Sequence, residues 1–448
     1  MTSKKTESMI LLGKSAMTGA LGGLLFGFDT AVIAGATHPL TLQYQLSSWA
    51  LGITVSIALW GTVAGALTSG ELGQHIGSRS ALRIMGLLYV VSALGCALAP
   101  NWTSFLVFRF IGGIGIGGSS VLGPVYIAEL APAKWRGRLV GLFQINIVIG
   151  ILLAYLSNAI IAHFRFGLIE WRVELGVAVV PALLFVILLL SVPQSSRWLV
   201  SQNRIDDALL TLSRMGSPDS RAEVDEIIAS LQEDGGVGAS TLFSKRHRLH
   251  IFLAITIGMF NQLTGINAIL YYLNDIFASA GFGAMSASFQ AVAIGLANLL
   301  ATFLGISLID KLGRKTLLLI GAAGCGVCLT GVAILFRLGT HQNLLLPALV
   351  GFIIFFAISQ GAVIWVYLSE VFPTGVRSKG QSLGSSTHWI MNGLITLLFP
   401  VAARYSKSLP FAFFAAMMVV QFITVAWVYP ETKGLSLEKL QHKLLGIH

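Results

Sequence analysis

The chain has 448 residues, 55% of them hydrophobic and only 11% charged, with a formal charge of +10 and a pI near 9.6. A charged fraction so far below the roughly 25% of soluble domains excludes a water-soluble fold, because that much apolar surface has nowhere to hide from water. The apolar residues come in blocks of roughly 20, long enough to cross about 30 Å of hydrocarbon at 1.5 Å per residue, so lipid is the solvent and the basic charge concerns topology rather than nucleic acid.

In chain order the predicted membrane helices are residues 10–36, 47–70, 81–99, 102–127, 137–163, 172–193, 248–280, 287–309, 315–337, 344–369, 378–404 and 408–429. The first is too long for a signal-peptide core and contains Asp29, so it is read as a retained helix. A carboxylate at membrane depth costs about 2.5–3.5 kcal/mol on insertion scales and is a functional candidate by default. A bland alternative has Asp29 capping a helix break beside Gly27. Arg109, in the fourth helix, is the other obvious intramembrane charge, and a pair that forms in one conformation and parts in another would tie proton binding to the side that is open. Glu174, near the outer end of the sixth helix, is a weaker titrating candidate and the expected partner of Arg172.

Several matches along the way are set aside. Gly113, Gly115 and Gly118 spell GxGxxG, but no strand precedes them and they lie inside an apolar helix, where small residues serve close helix packing. Asn101-Trp102-Thr103 is a glycosylation sequon in an outer loop too short to leave the bilayer surface. Cys325 and Cys328 form C-x-x-C within an apolar helix, with no His or basic neighbour to hold a metal or thiolate. No metal, cofactor or enzymatic pairing of nucleophile and base is expected.

Between the sixth and seventh helices lies the one sizeable polar stretch, 194–247. Ile205, Ala208, Leu209 and Leu212, then Val224, Ile227, Ile228 and Leu231, are amphipathic helical stripes, and Ser220 with Glu223 fits a capping box. Short cytoplasmic helices are expected there. Most of the 29 Lys and Arg residues fall to the same side as this linker, which places both termini in the cytoplasm by the positive-inside rule.

The two halves repeat one another. YIAELAPAKWRGR from Tyr126 aligns with YLSEVFPTGVRSK from Tyr367, GQHIGSR from Gly73 with IDKLGRK from Ile309, and PQSSRWL from Pro193 with PETKGLS from Pro430. Duplication of a six-helix unit implies an all-α membrane protein of twelve transmembrane helices in two six-helix bundles related by pseudo-twofold symmetry, the major facilitator arrangement. The expected domains are a bundle at 1–193, the linker at 194–247, a second bundle at 248–430 and a cytoplasmic tail at 431–448.

At GGLLFGFDTAVIAG from Gly22, RFIGGIGIGG from Arg109, PVYIAELAP from Pro124, NQLTGINAILYY from Asn261, DKLGRK from Asp310 and PETKG from Pro430, the sequence resembles the sugar porter branch of the major facilitator superfamily over almost its whole length. It is most similar to bacterial pentose and hexose proton symporters, which share Asp29 and Arg109; mammalian facilitative glucose carriers lack that aspartate. The resemblance implies proton coupling through Asp29 and Arg109. It implies sugar binding by Phe26, Gln144, Asn261, Gln262, Asn267, Tyr271, Asn298, Trp365 and Asn392, with His388 and Trp389 beside them. Fixed amides and aromatic platforms suit the hydroxyls and apolar face of a sugar. It further implies a cytoplasmic gate of Glu129, Arg136, Arg138, Asp310, Arg314, Lys315, Glu370 and Arg377.

The sequence departs from the family at five positions. Asn261 stands where a glutamine is usual, and His388 where Asn or Gln is common, making it a neutral sugar contact or a second titrating group. Ala362 replaces a proline before Trp365 and removes a helix breaker. Gln74 and Ser78 replace the usual Asp and Arg, so the first-half gate is expected to be weaker than the DKLGRK copy. The resulting reading is a plasma-membrane monosaccharide carrier, monomeric and proton-coupled. A facilitative uniporter, a carrier of another polyol and a membrane sugar sensor are the alternatives.

Overall fold

The computed structural model describes residues 2–131, 135–217, 219–234, 242–244, 247–372 and 376–433. The first half contains α1 (Thr2–Tyr44), α2 (Ser48–Ile76), α3 (Ser78–Leu98), α4 (Trp102–Leu130), α5 (Arg136–Phe164), α6 (Glu170–Gly176) and α7 (Val179–Leu190). Three short helices follow, α8 (Ser196–Ser201), α9 (Ile205–Arg214) and α10 (Ser220–Asp234). The second half contains α11 (Arg248–Leu263), α12 (Ile266–Tyr271), α13 (Leu273–Ser279), α14 (Ala284–Leu312), α15 (Arg314–Leu338), α16 (Leu345–Ile358), α17 (Gln360–Val371), α18 (Arg377–Tyr405) and α19 (Leu409–Val428).

Among the described residues, 11 helical spans are long and apolar enough to cross a membrane. The predicted span 378–404 is present as α18 at full length but falls outside that set. Its polar residues, among them Gln381, Thr387, His388 and Asn392, lower its apolarity because three of them, Thr387, His388 and Asn392, are spent on hydrogen bonds inside the protein.

Three predicted spans are broken. Pro181 lacks an N–H to give the carbonyl four residues back, and the sixth span accordingly divides into α6 and α7 at Val177–Ala178. In the seventh span the chain turns at Gly265, where φ is +79°, and the loosened backbone groups are taken up locally. The Thr264 hydroxyl donates to the Asn261 carbonyl at 2.8 Å and accepts from the Ile266 N–H at 3.1 Å. The tenth span breaks at Ser359 into α16 and α17 even though Ala362 stands in place of the helix-breaking proline. The Ser359 hydroxyl bonds back to the Phe355 carbonyl there.

Clustering by contact gives two compact units. Unit 1 comprises Met1–Thr30, Trp60–Ala154 and Trp171–Gly238; unit 2 comprises Ala31–Leu59, Tyr155–Glu170 and Ala239–His448. This grouping differs from the sequence repeat, since the second part of α1, the first part of α2 and the end of α5 join unit 2. Within unit 2 those segments are hydrogen-bonded: Tyr155 donates to the Leu270 carbonyl at 2.8 Å and Asn158 to the Val32 carbonyl at 3.0 Å.

Each unit packs in the same pattern. In unit 1, α3 lies along α4 and α7; in unit 2, α15 occupies the matching place and lies along α16 and α19. The glycines of the dismissed GxGxxG serve this packing, with Gly115 and Gly118 against Met85 of α3. Of the predicted stripes, Ala208, Leu212 and Val224 form a small core with Leu199 and Val200, against which Ile205, Leu209, Ile227 and Ile228 pack; Leu231 lies outside the described side chains. Their capping differs from the expectation, because Asp219, not Ser220, accepts from the N–H groups of Arg221 and Ala222. The sequon residue Asn101 is the N-cap of α4, accepting from the Ser104 N–H at 2.9 Å.

Candidate functional site

Unit 1 holds the Asp29–Arg109 pair. Asp29 stands on α1 and Arg109 on α4, and Arg109 Nη1 donates to Asp29 Oδ1 at 2.8 Å with both side chains largely buried. On the other side of α1, glycines let α1 and α5 pack backbone to backbone: a Cβ on Gly27 would meet the α5 backbone and one on Gly150 the α1 backbone. Tyr89 and Ser119, bonded to each other at 2.9 Å, lie on α3 and α4 nearby; sequence reasoning had singled out neither. Phe26 packs on the adjacent apolar core, and Gln144 is half-buried on α5. Arg172 donates to the Ala97 carbonyl and lies over the Trp171 ring, 4.3 Å from its centroid.

Unit 2 joins four of the predicted sugar-binding residues, Asn261, Gln262, Asn267 and His388, into one hydrogen-bonded chain, and the break at Gly265 is what brings Asn267 back toward Gln262. Asn261 Nδ2 donates to the Gln360 carbonyl at 3.3 Å, and a backbone carbonyl only accepts, so the Asn261 amide is oriented with its oxygen toward Gln262. Gln262 Nε2 therefore donates to Asn261 Oδ1 at 3.4 Å and turns Oε1 to receive Asn267 Nδ2 at 3.1 Å. The same Nε2 faces the His388 ring nitrogens at 3.1 and 3.3 Å. A donor there needs an unprotonated ring nitrogen, so the chain of bonds requires the neutral form of His388.

Aromatic rings frame this chain. The His388 ring lies 5.3 Å from Trp365, which is half-open, and 5.0 Å from buried Trp389. Further along α18, Asn392 Nδ2 approaches the Tyr271 hydroxyl at 3.5 Å and Asn392 Oδ1 accepts from Thr396 at 3.2 Å. Asn298 is buried on α14 apart from these contacts. The Gln360 carbonyl and Thr264, which hold the chain in place, carried no signal in the sequence beyond the glycine after Thr264.

Among the described residues expected to form the cytoplasmic gate, the ion pairs found lie inside the second half. Arg314 donates to Glu370 at 2.8 and 3.2 Å and to Asp310 at 2.9 Å, and Thr432 adds a bond to Glu370 at 2.6 Å. Lys315 Nζ reaches the Ala426 carbonyl at 2.8 Å. At the matching place in unit 1, Ser78 donates to Glu129 at 3.1 Å. Arg138 is exposed, its guanidinium 5.3 Å from the Trp135 ring centroid, and the side chains of Arg136 and Arg377 lie outside the described residues. Beyond the membrane helices, burial would raise the Glu431 carboxyl, but N–H groups of Lys433, Arg314, Lys315 and Thr432 together hold it below the usual glutamate value.

The sequence profile of the family described as "Sugar (and other) transporter" matches residues 15–444. A D-xylose transporter of Levilactobacillus brevis is 35% identical over 95% of this chain and 94% of its own length. The galactose-proton symporter of Escherichia coli strain K12 is 35% identical over 95% of this chain and 93% of its own. Among solved structures, the inward-open xylose transporter XylE of E. coli superposes with a TM-score of 0.85 at 32% identity, covering 96% of this chain and 98% of that one. The chain therefore belongs to the sugar porter family of the major facilitator superfamily, and it is an integral membrane carrier, not an enzyme.

Proposed function

We propose that this carrier moves a monosaccharide, a hexose or a pentose, across the plasma membrane by alternating access in symport with a proton, and that Asp29 is the proton's binding site. The Asp29–Arg109 pair carries the reading. A buried carboxylate bonded at 2.8 Å to a buried guanidinium has two states, paired and ionised or parted and protonated, and a conformational change that favours one transfers a proton. Relatives named for proton symport with galactose and arabinose support the coupling, and those named for xylose and glucose support the sugar class. The amide chain of Asn261, Gln262 and Asn267, with the Trp365 face beside it, is the assigned sugar surface. Both termini are assigned to the cytoplasm on the distribution of Lys and Arg, and the bilayer and a monomeric state complete the reading.

In proteoliposomes, Asp29→Asn is expected to abolish proton-driven accumulation of sugar while retaining sugar exchange. Accumulation at the wild-type level in that variant removes the proton role. A wild-type protein that exchanges sugar but never accumulates it under a pH gradient is a uniporter.

A further inference from the structure

We propose that a pocket beside the Asp29–Arg109 pair binds a single water molecule, held by the Arg109 Nε–H, which hands the coupled proton to Asp29. The inference rests on Asp29 as the coupling carboxylate and adds the proton's last carrier.

Arg109 is 3% exposed, and its Nη1 is engaged by Asp29. Its Nε–H is fully buried and meets no protein acceptor among the described residues. A buried donor left without a partner costs about 1–3 kcal/mol, and more when the group is charged, so an acceptor is called for at that point. A cavity lies against it, lined by Asp29, Tyr89, Ser92, Cys96 and Arg109, with Leu175 among its apolar walls. It offers about 10 Å³ to the centre of a water-sized sphere, room for one water and far too little for a sugar.

The hydroxyl polarities fit a water as well. Ser119 gives its proton to the Ile116 carbonyl at 3.1 Å, so the Tyr89 hydroxyl donates to Ser119 and keeps its own lone pairs for an incoming donor. The Ser92 hydroxyl lies within reach of the Cys96 thiol. A water in the pocket accepts from Arg109 Nε–H and donates to Asp29 Oδ2 and to the Tyr89 oxygen, the three bonds a buried water usually makes. The titratable groups around it are thus Asp29 on α1, Tyr89 and Cys96 on α3 and Arg109 on α4, with Glu174 buried on α6 one position before Leu175.

The step balances simply. Hydronium at this position gives one proton to Asp29 Oδ2; the carboxylate becomes a carboxylic acid, and neutral water stays on the Nε–H. Arg109 then keeps one acceptor while its ion pair with Asp29 loosens.

Two measurements on the full-length protein test this. A structure at a resolution that places waters should show a density peak within hydrogen-bond distance of Arg109 Nε, and an ordered pocket without one overturns the proposal. Cys96→Leu fills the pocket and Cys96→Ala leaves it open. The ratio of proton-driven accumulation to sugar exchange should fall about tenfold in Cys96→Leu, a barrier increase of about 1.4 kcal/mol, but not in Cys96→Ala. An unchanged ratio in a folded Cys96→Leu protein overturns the carrier role. If Asp29→Asn accumulates sugar normally, it is the coupling role of Asp29 that fails, a result the density measurement reads separately.

Discussion

Gln262 is the hub of the second-half site, since one amide joins Asn261, Asn267 and His388. Replacing it with Ala takes one hydrogen bond from each of these three neighbours and removes a proposed sugar contact, so monosaccharide affinity measured by calorimetry should weaken by roughly tenfold or more, at about 0.5–1.5 kcal/mol per net hydrogen bond. Which residues cluster here was legible in the sequence through the family motif NQLTGIN. Which way each amide points was not, because the direction is set by the Gln360 carbonyl, 99 residues from Asn261. Glu431 makes a second residue-scale point. Its folded carboxyl titrates below its ordinary value of 4.5, so the stability it contributes is fully present above that pH and is lost as pH falls through the lower folded value. Melting temperature in detergent should therefore drop across that acid range, and less steeply in Glu431→Gln.

At the scale of elements, eleven spans were readable because length and hydropathy answer to bilayer thickness, the more polar α18 was recovered although it falls outside that set, and the ends were not legible. α1 runs to Tyr44, eight residues past its apolar block, carrying Pro39 within it, since a helix need not stop where hydrocarbon does. The breaks were missed, at Pro181, where the span 172–193 reads as one helix although the proline lacks an N–H, and at Ser359, where a side chain competes for a carbonyl in place of the missing proline. Gly265 combines both needs, a positive φ and a close approach, since a Cβ there would run into the Phe414 ring. Gly265→Ala should lower thermal stability by about 1–2 kcal/mol from the left-handed backbone alone, with the clash adding to it. It should also weaken sugar binding, because Asn267 follows the turn; a variant that melts and binds like wild type would show that the break is not held by this glycine.

The whole molecule shows what duplication preserved and what it let go. Tyr126 donates to the Pro193 carbonyl at 2.7 Å, and Tyr367, its counterpart in the repeat, to the Pro430 carbonyl at 3.4 Å, so one contact is kept in both halves. The gate is not kept. Arg314 holds Glu370 through two charged bonds, whereas Ser78 offers Glu129 a single hydroxyl, the asymmetry that SR in place of RK predicts. Removing one partner of a largely buried ion pair costs about 3–5 kcal/mol, and removing a single hydroxyl bond to a carboxylate about 1.5–3 kcal/mol. Arg314→Ala should accordingly lower the melting temperature in detergent well beyond Ser78→Ala, with the remaining Thr432 bond holding the loss toward the lower figure. Ser78→Arg should add a second cation beside Glu129, which already faces Arg197, and raise the melting temperature. Equal effects of the two alanine variants would mean that the two halves are locked alike despite their different chemistry.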